Sequence, residues 1–172
     1  YGRSLNLVFF GAAKLELAEN TKSIPKELNQ ATKGFQAIGY RYGELLVEAF
    51  KARSLLNANR LKQAEKQALS ALDLAEKLEA FDLIWRIAAL LGEAQAGQKK
   101  MESAEASYRA AQLALEQASG TLSSDRARTR FGIGKSYIDQ FLIDLDWQQK
   151  NPSQLFEAVS YTHLRAHETH EH

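Results

Sequence analysis

The chain has 172 residues with Lys+Arg 22 against Asp+Glu 21, a formal net charge of +1 that exerts no long-range pull on nucleic acid or an anionic membrane. Hydrophobic residues at 45% and charged residues at 25% exclude wholesale disorder, and Cys 0 excludes disulfides, thiolate nucleophiles and cysteine metal sites together. No run reaches the roughly 18 apolar residues that span a bilayer, and the start lacks the pattern of a signal peptide, so one globular domain in the cytoplasm is expected.

Helix dominates the expectation. The chain holds 26 Ala against 16 Val, Ile and Thr combined, and alanine loses least on entering a helix whereas β-branched residues lose χ1 freedom there. The first residue is Tyr1 rather than Met, and the chain is expected to be a piece of a longer protein. Residues 5 to 17, with Val8, Phe9 and Phe10, read as an unusually apolar helix. Pro25 sits where a helix begins, since proline costs little in a first turn. Helical segments then run from Arg41 to Asn57 and from Phe81 to Gly97, each joined by a short turn, Ala58-Asn59 or Gln98-Lys99, to a second helix.

The second helices carry an internal repeat. Leu61, Ala64, Ala68, Ala71, Ala75 and Leu78 are spaced three and four apart and form one helical stripe. Met101, Ala104, Tyr108, Ala111, Leu115 and Ala118 follow, each 40 residues after its counterpart. The unit is a helix hairpin of about 40 residues. Gly120 ends a helix, Ser123-Ser124-Asp125 offers caps for a long one to about Gln149, and Asn151-Pro152 starts a short one.

These residues carry a family resemblance. Leu91-Gly92, then Gln95, Ala104, Tyr108 and Ala111, resembles the tetratricopeptide repeat pattern of a Leu-Gly pair followed by a small residue, an aromatic and a small residue. Close packing explains the pattern: Gly92 and Ala104 mark the contact of two helices, and Tyr108 fills the gap to the next repeat. The preceding unit repeats it with Ala52 and Leu55 in the first helix and Ala64, Ala68 and Ala71 in the second, Ala68 standing where an aromatic is usual. Phe10-Gly11 with Ala31, Phe35 and Ile38 looks like a first unit. The resemblance implies an all-α fold, an α-solenoid of antiparallel helix hairpins in a right-handed superhelix of about four repeats. The hairpins are expected at about 3–38, 41–79, 81–118 and 125–158.

Over residues 40 to 158 the order of parts, ending in Gln154-Leu155-Phe156-Glu157-Ala158, is similar to the repeat array that precedes the caspase-like domain of CHAT-domain proteins. That likeness implies a bacterial signalling protein with a covalently linked effector domain. Other bacterial regulators carry similar arrays. Residues 159 to 172 resemble the translation of a sequencing-library adapter and are expected to be a non-native tail. All four histidines lie in it, so His163 and His167, four apart like metal ligands, are set aside together with Glu168.

Without that tail the chain has neither histidine nor cysteine, which removes the commonest general base and the thiol nucleophile. Glu44 and Glu48 are four apart and read as a solvated face; with Asp144 they form the alternative of an enzyme centred on carboxylates. Gly132-Ile133-Gly134-Lys135 lacks the spacing of a phosphate-binding loop and reads as a close helix contact. Arg126 and Arg130 share a helix face that Arg128 does not, so the basic run is no stripe for a phosphate backbone. Trp85, Trp147, Phe131, Phe141 and Tyr137 read as packing.

No catalytic, cofactor or metal site is therefore expected, and neither nucleic acid nor membrane is an expected partner. The expected role is binding of a protein or peptide along the groove that the first helices line in such arrays. By the resemblance that groove holds Arg53 and Asn57, Arg86 and Glu93, and Gln140 and Asp144. Arg53 and Arg86 suit an acidic peptide or a terminal carboxylate. A self-association module, with the helix at residues 5 to 17 pairing protomers through Phe9 and Phe10, is a further alternative.

Overall fold

A computed structural model describes residues 26–119 and 125–148, and every regular element within them is an α-helix. In chain order these are α1 (Lys26–Ala37), α2 (Arg41–Asn57), α3 (Leu61–Lys77), α4 (Phe81–Gly97), α5 (Met101–Ser119) and α6 (Asp125–Gln148). The expected helix at residues 5 to 17, the one from Pro152, and the tail from 159 lie outside the described residues. Among the described residues no helix is long and apolar enough to cross a membrane.

One backbone device sets the spacing. Helices α2, α3, α4 and α5 begin at residues 41, 61, 81 and 101, because each helix from α2 to α4 has 17 residues and each linker between them has three. The middle linker residue is left-handed every time: Gly39, Asn59, Glu79 and Lys99 have φ of 64, 56, 52 and 62°. Its amide donates to the carbonyl of Gln36, Leu56, Glu76 or Ala96, at 2.8–3.2 Å. The amide of the next residue, Tyr40, Arg60, Ala80 or Lys100, donates to Phe35, Leu55, Ala75 or Gln95, at 2.9–3.0 Å. These two bonds are the Schellman closure of a helix C-terminus.

The same third residue opens the following helix, its carbonyl accepting from Glu44, Ala64, Ile84 or Ala104. No side chain caps α2, α3 or α4 at its start. With one residue both closing a helix and opening the next, the chain reverses in three residues, and packed neighbours joined this way run antiparallel. Successive helices pack pairwise from α1 to α6, and α2 also reaches α4. The connection after α5 is longer, so α6 starts 44 residues after α4 (125 − 81) rather than 40.

The alanine stripes are the seams. Ala64, Ala68, Ala71 and Ala75 on α3 are at most 2% exposed, as are Ala104, Tyr108 and Ala111 on α5. The 40-residue repeat hides a difference in volume. Gly92 faces Tyr108 so closely that a Cβ would lie 2.9 Å from the ring at Cε1. In the preceding unit Ala52 and Ala68 occupy the matching positions, and both are buried in the core with Leu45, Ile87 and Leu91. Glycine against tyrosine in one unit is thus replaced by alanine against alanine in the other. Tyr108 cannot retreat, because its ring stacks on Phe141 at 5.1 Å with an interplanar angle of 13°. Alanine at position 92 therefore overpacks the seam, at a cost of about 1–3 kcal/mol.

Three sequence expectations need adjusting. Ala31 and Phe35 are buried, but Ile38 is 51% exposed, because it falls in the turn after α1 rather than on its inner stripe. Glu44 and Glu48 do not form a solvated face. Glu44 is 9% exposed and accepts from Arg41 at 2.8 Å, while Glu48 accepts from Lys51 at 2.9 Å and from the Gln67 amide of α3. Of the two glycines on α6, a Cβ at Gly134 would lie 2.9 Å from the Trp85 ring, whereas one at Gly132 would meet nothing.

The left-handed turns yield a stability prediction. Glu79 and Lys99 adopt a conformation that costs a residue with a Cβ about 1 kcal/mol or more, and neither side chain makes a hydrogen bond in the structure. Glu79→Gly and Lys99→Gly are each expected to raise stability by roughly 0.5–1 kcal/mol in urea unfolding. The same exchange at Asn59 is expected to give less, since asparagine already tolerates this region.

Candidate functional site

The first helices of successive pairs, α2, α4 and α6, meet through polar side chains at fixed offsets. Tyr42 on α2 donates to Asp82 on α4 at 2.6 Å, and Arg53 on α2 donates to Glu93 on α4 through Nη1 at 3.2 and 3.3 Å. Each pair is 40 residues apart. Tyr137 on α6 donates to Glu93 Oε1 across 44 residues, the offset that the longer connection imposes. A single carboxylate thereby ties three helices together.

Burial and charge shape this network. The Arg53 side chain keeps 37% exposure and Glu93 16%, so the pair sits at the surface with its inner side against the core. Burial works against the Arg53 charge, but Glu93 and Tyr137 outweigh it and the guanidinium holds its proton more firmly than usual. Burial, helped by the hydrogen bond to Glu93, pushes the Tyr137 phenol up to about 12. Tyr42 is raised in the same sense, by burial first and then by Asp82. Beneath the network lies Tyr108, fully buried, with its hydroxyl lacking a hydrogen-bond partner among the described residues. Burial and the charge of Glu93 raise that phenol strongly.

Phe141 links the layers, stacked on Tyr108 and edge-on to Tyr137 at 4.8 Å. Arg86, one turn beyond Asp82, lies with Cζ 4.8 Å from the Trp85 ring centroid, and Gly134 of α6 closes on the same ring. Among the described residues Arg86 has no carboxylate partner, and it is exposed. A guanidinium resting on an indole is held in place while its edge stays open to solvent.

The six groove residues expected from the sequence separate into distinct situations. Arg53 and Glu93 come together, but with each other, so the Arg53 charge is already compensated. Arg86 presents a free guanidinium. Gln140 donates to Asp144 at 3.0 Å along α6, and both are exposed. Asn57 is exposed at the last position of α2, with no contact to the others. The packing residues Ala52, Ala64, Ala71, Leu91, Gly92, Ala104, Tyr108 and Ala111 are all buried.

Tyr137 and Phe141, expected as packing, take part in this network, and so do Tyr42 and Asp82, for which the sequence raises no expectation. The signal was present: Tyr42 and Asp82, like Arg53 and Glu93, are complementary residues one repeat apart on the first helices. Carboxylates Glu44, Glu48 and Asp144 do not converge, each having its own partner. Among the described residues no cluster of three or more metal-ligating side chains occurs. The side chains of Arg126, Arg128, Arg130, Phe131 and Trp147 lie outside the described residues. Comparison of the chain with family models, with curated proteins and with solved structures gives no match.

The coupling of Tyr137 to Glu93 sets an alkaline limit. The folded phenol sits near 12, above its ordinary 10.0, so the stability it contributes is complete below pH 10 and is lost as pH rises from 10 to about 12. Ultraviolet titration of the phenolate is expected to show Glu93→Gln bringing the Tyr137 transition down toward 10, since the charge opposing ionisation is gone.

Proposed function

We propose that the chain is a tetratricopeptide-like α-solenoid that binds a protein or peptide on the face formed by α2, α4 and α6. The observation that carries this reading is the repeated bridging of first helices at a constant offset, Tyr42 to Asp82 and Arg53 to Glu93. Stacked hairpins with their first helices in direct contact form one continuous surface, and each hairpin alone is too small to bury its apolar seam. Among the described residues that surface mixes aromatic rings, the Arg53–Glu93 ion pair and an arginine, Arg86, with no carboxylate partner, which is the composition of a recognition surface rather than of a solvated face.

Arg86 is the anchor for an acidic side chain or carboxylate, because Arg53 is occupied by Glu93 and a ligand would have to break that pair. The likeness of residues 40 to 158 to the arrays of CHAT-domain proteins supports the further reading that this is the recognition arm of a bacterial signalling protease. A different effector on the same kind of array is the alternative.

Selection of a displayed random peptide library against the chain tests the binding face. The selected peptides are expected to be acidic and to weaken roughly fivefold or more on Arg86→Ala while ignoring Arg109→Ala on the exposed side of α5. Equal sensitivity to both substitutions would reject the assignment. The protease attachment is checked by reading the source gene past codon 158, where a caspase-like domain with a paired histidine and cysteine is expected.

A further inference from the structure

We infer that Glu93, Arg53 and Tyr108 form a subsite for a side-chain carboxamide, that of an asparagine or glutamine in the bound peptide. This inference rests on the peptide-binding reading above. Its starting point is an internal precedent. Twice the chain surrounds a surface carboxylate with a cation and glutamine amides: Glu48 takes Lys51 and Gln67, and Glu65 takes Lys100 at 2.7 Å and Gln98 at 2.8 Å, with Gln95 also bonded to it. At Glu65 the Lys100 bond is strong enough to hold the carboxyl below its usual range.

Glu93 has the cation but no amide. Arg53 supplies the charge, Tyr137 occupies Oε1, and among the described residues Oε2 receives only the 3.2 Å contact from Arg53. The second observation is independent of that carboxylate: Tyr108 is 0% exposed, and among the described residues its hydroxyl has no partner in the field of Glu93, Tyr137, Arg53 and Asp144. A buried hydroxyl left unpaired is an uncommon and costly feature, and it marks where a polar atom belongs.

Charge selects the kind of atom. A carboxylate entering here would compete with Glu93 for Arg53, and an ammonium would compete with Arg53 for Glu93, each leaving a half-buried charge uncompensated. A neutral carboxamide leaves the pair intact. Its N–H donates to Glu93 Oε2, and its carbonyl accepts from the Tyr108 hydroxyl once the Tyr137 ring, partly exposed, swings aside. Phe141 then offers the flat amide an aromatic wall.

The test uses the full chain with tyrosine rings labelled for NMR and four probes: the peptide Ac-Ala-Ala-Gln-Ala-Ala closed by a C-terminal dimethylamide, its Ala-for-Gln and Glu-for-Gln counterparts, and acetamide alone. The Gln peptide is expected to move the Tyr108 and Tyr137 resonances and to bind roughly tenfold more tightly than either counterpart. Tyr108→Phe is expected to abolish that preference while leaving thermal unfolding unchanged or raised, since it removes an unpaired hydroxyl. Tyr137→Phe, which frees Oε1, is expected to strengthen binding.

Equal affinity for the Gln and Ala peptides, or a preference that survives Tyr108→Phe, overturns the subsite. If no peptide binds but acetamide still moves Tyr108 in the wild type and not in a Glu93→Leu variant that remains folded, the subsite stands and the peptide reading falls. Silence from every probe overturns the subsite, and acidic peptides held at Arg86 would then leave the peptide reading in place.

Discussion

The fold depends on a three-residue turn in which a single residue serves two helices. Its amide completes the closure of the helix behind it, and its carbonyl begins the helix ahead. Because no residue is spare, the repeat length follows from helix length plus three, and the faces of the helices return in register after every second helix. The turn demands one left-handed residue, and the chain supplies glycine or asparagine at two sites but Glu79 and Lys99 at the others. The geometry persists at those two without a favourable residue, because the packing on either side fixes it and a different turn would shift the whole register.

Register in turn decides which side chains meet. Gly92 and Tyr108 fit because one lacks a side chain where the other is largest, and the stacked Phe141 holds the ring in that slot. Ala52 and Ala68 fill the equivalent place with two small groups. Repeats of one length therefore carry different total volumes at matching places in the seam, glycine with tyrosine being the bulkier pair.

On the face of α2, α4 and α6, electrostatics divide the arginines that sequence reasoning grouped together. Arg53 and Arg86 differ in nothing that composition records, yet the first is spent on Glu93 and the second rests on Trp85 with its edge open. The hydroxyl of Tyr108 has no hydrogen-bond partner among the described residues, and the position of its ring is dictated by Gly92 and Phe141 rather than by its own polar end. Packing thus places a buried phenol below a surface ion pair. That arrangement gives the face its chemical character.

Local signals in the sequence were sufficient for the helices and seams. Alanine content, the three-and-four spacing and the 40-residue offset placed α2 to α5 and their buried stripes, because the hydrophobic effect acts on helical period and small residues permit close approach. The left-handed turns at Glu79 and Lys99 were not legible, since neither residue favours them, and Ile38 was read onto a stripe that the turn cuts short. Glu44 and Glu48 looked solvated because their partners, beyond the nearby Arg41 and Lys51, include Gln67 on the next helix. Only tertiary structure brought Arg53, Glu93 and Tyr137 together, because residues 40 and 44 apart become neighbours through the stacking of hairpins and through nothing written in any one of them.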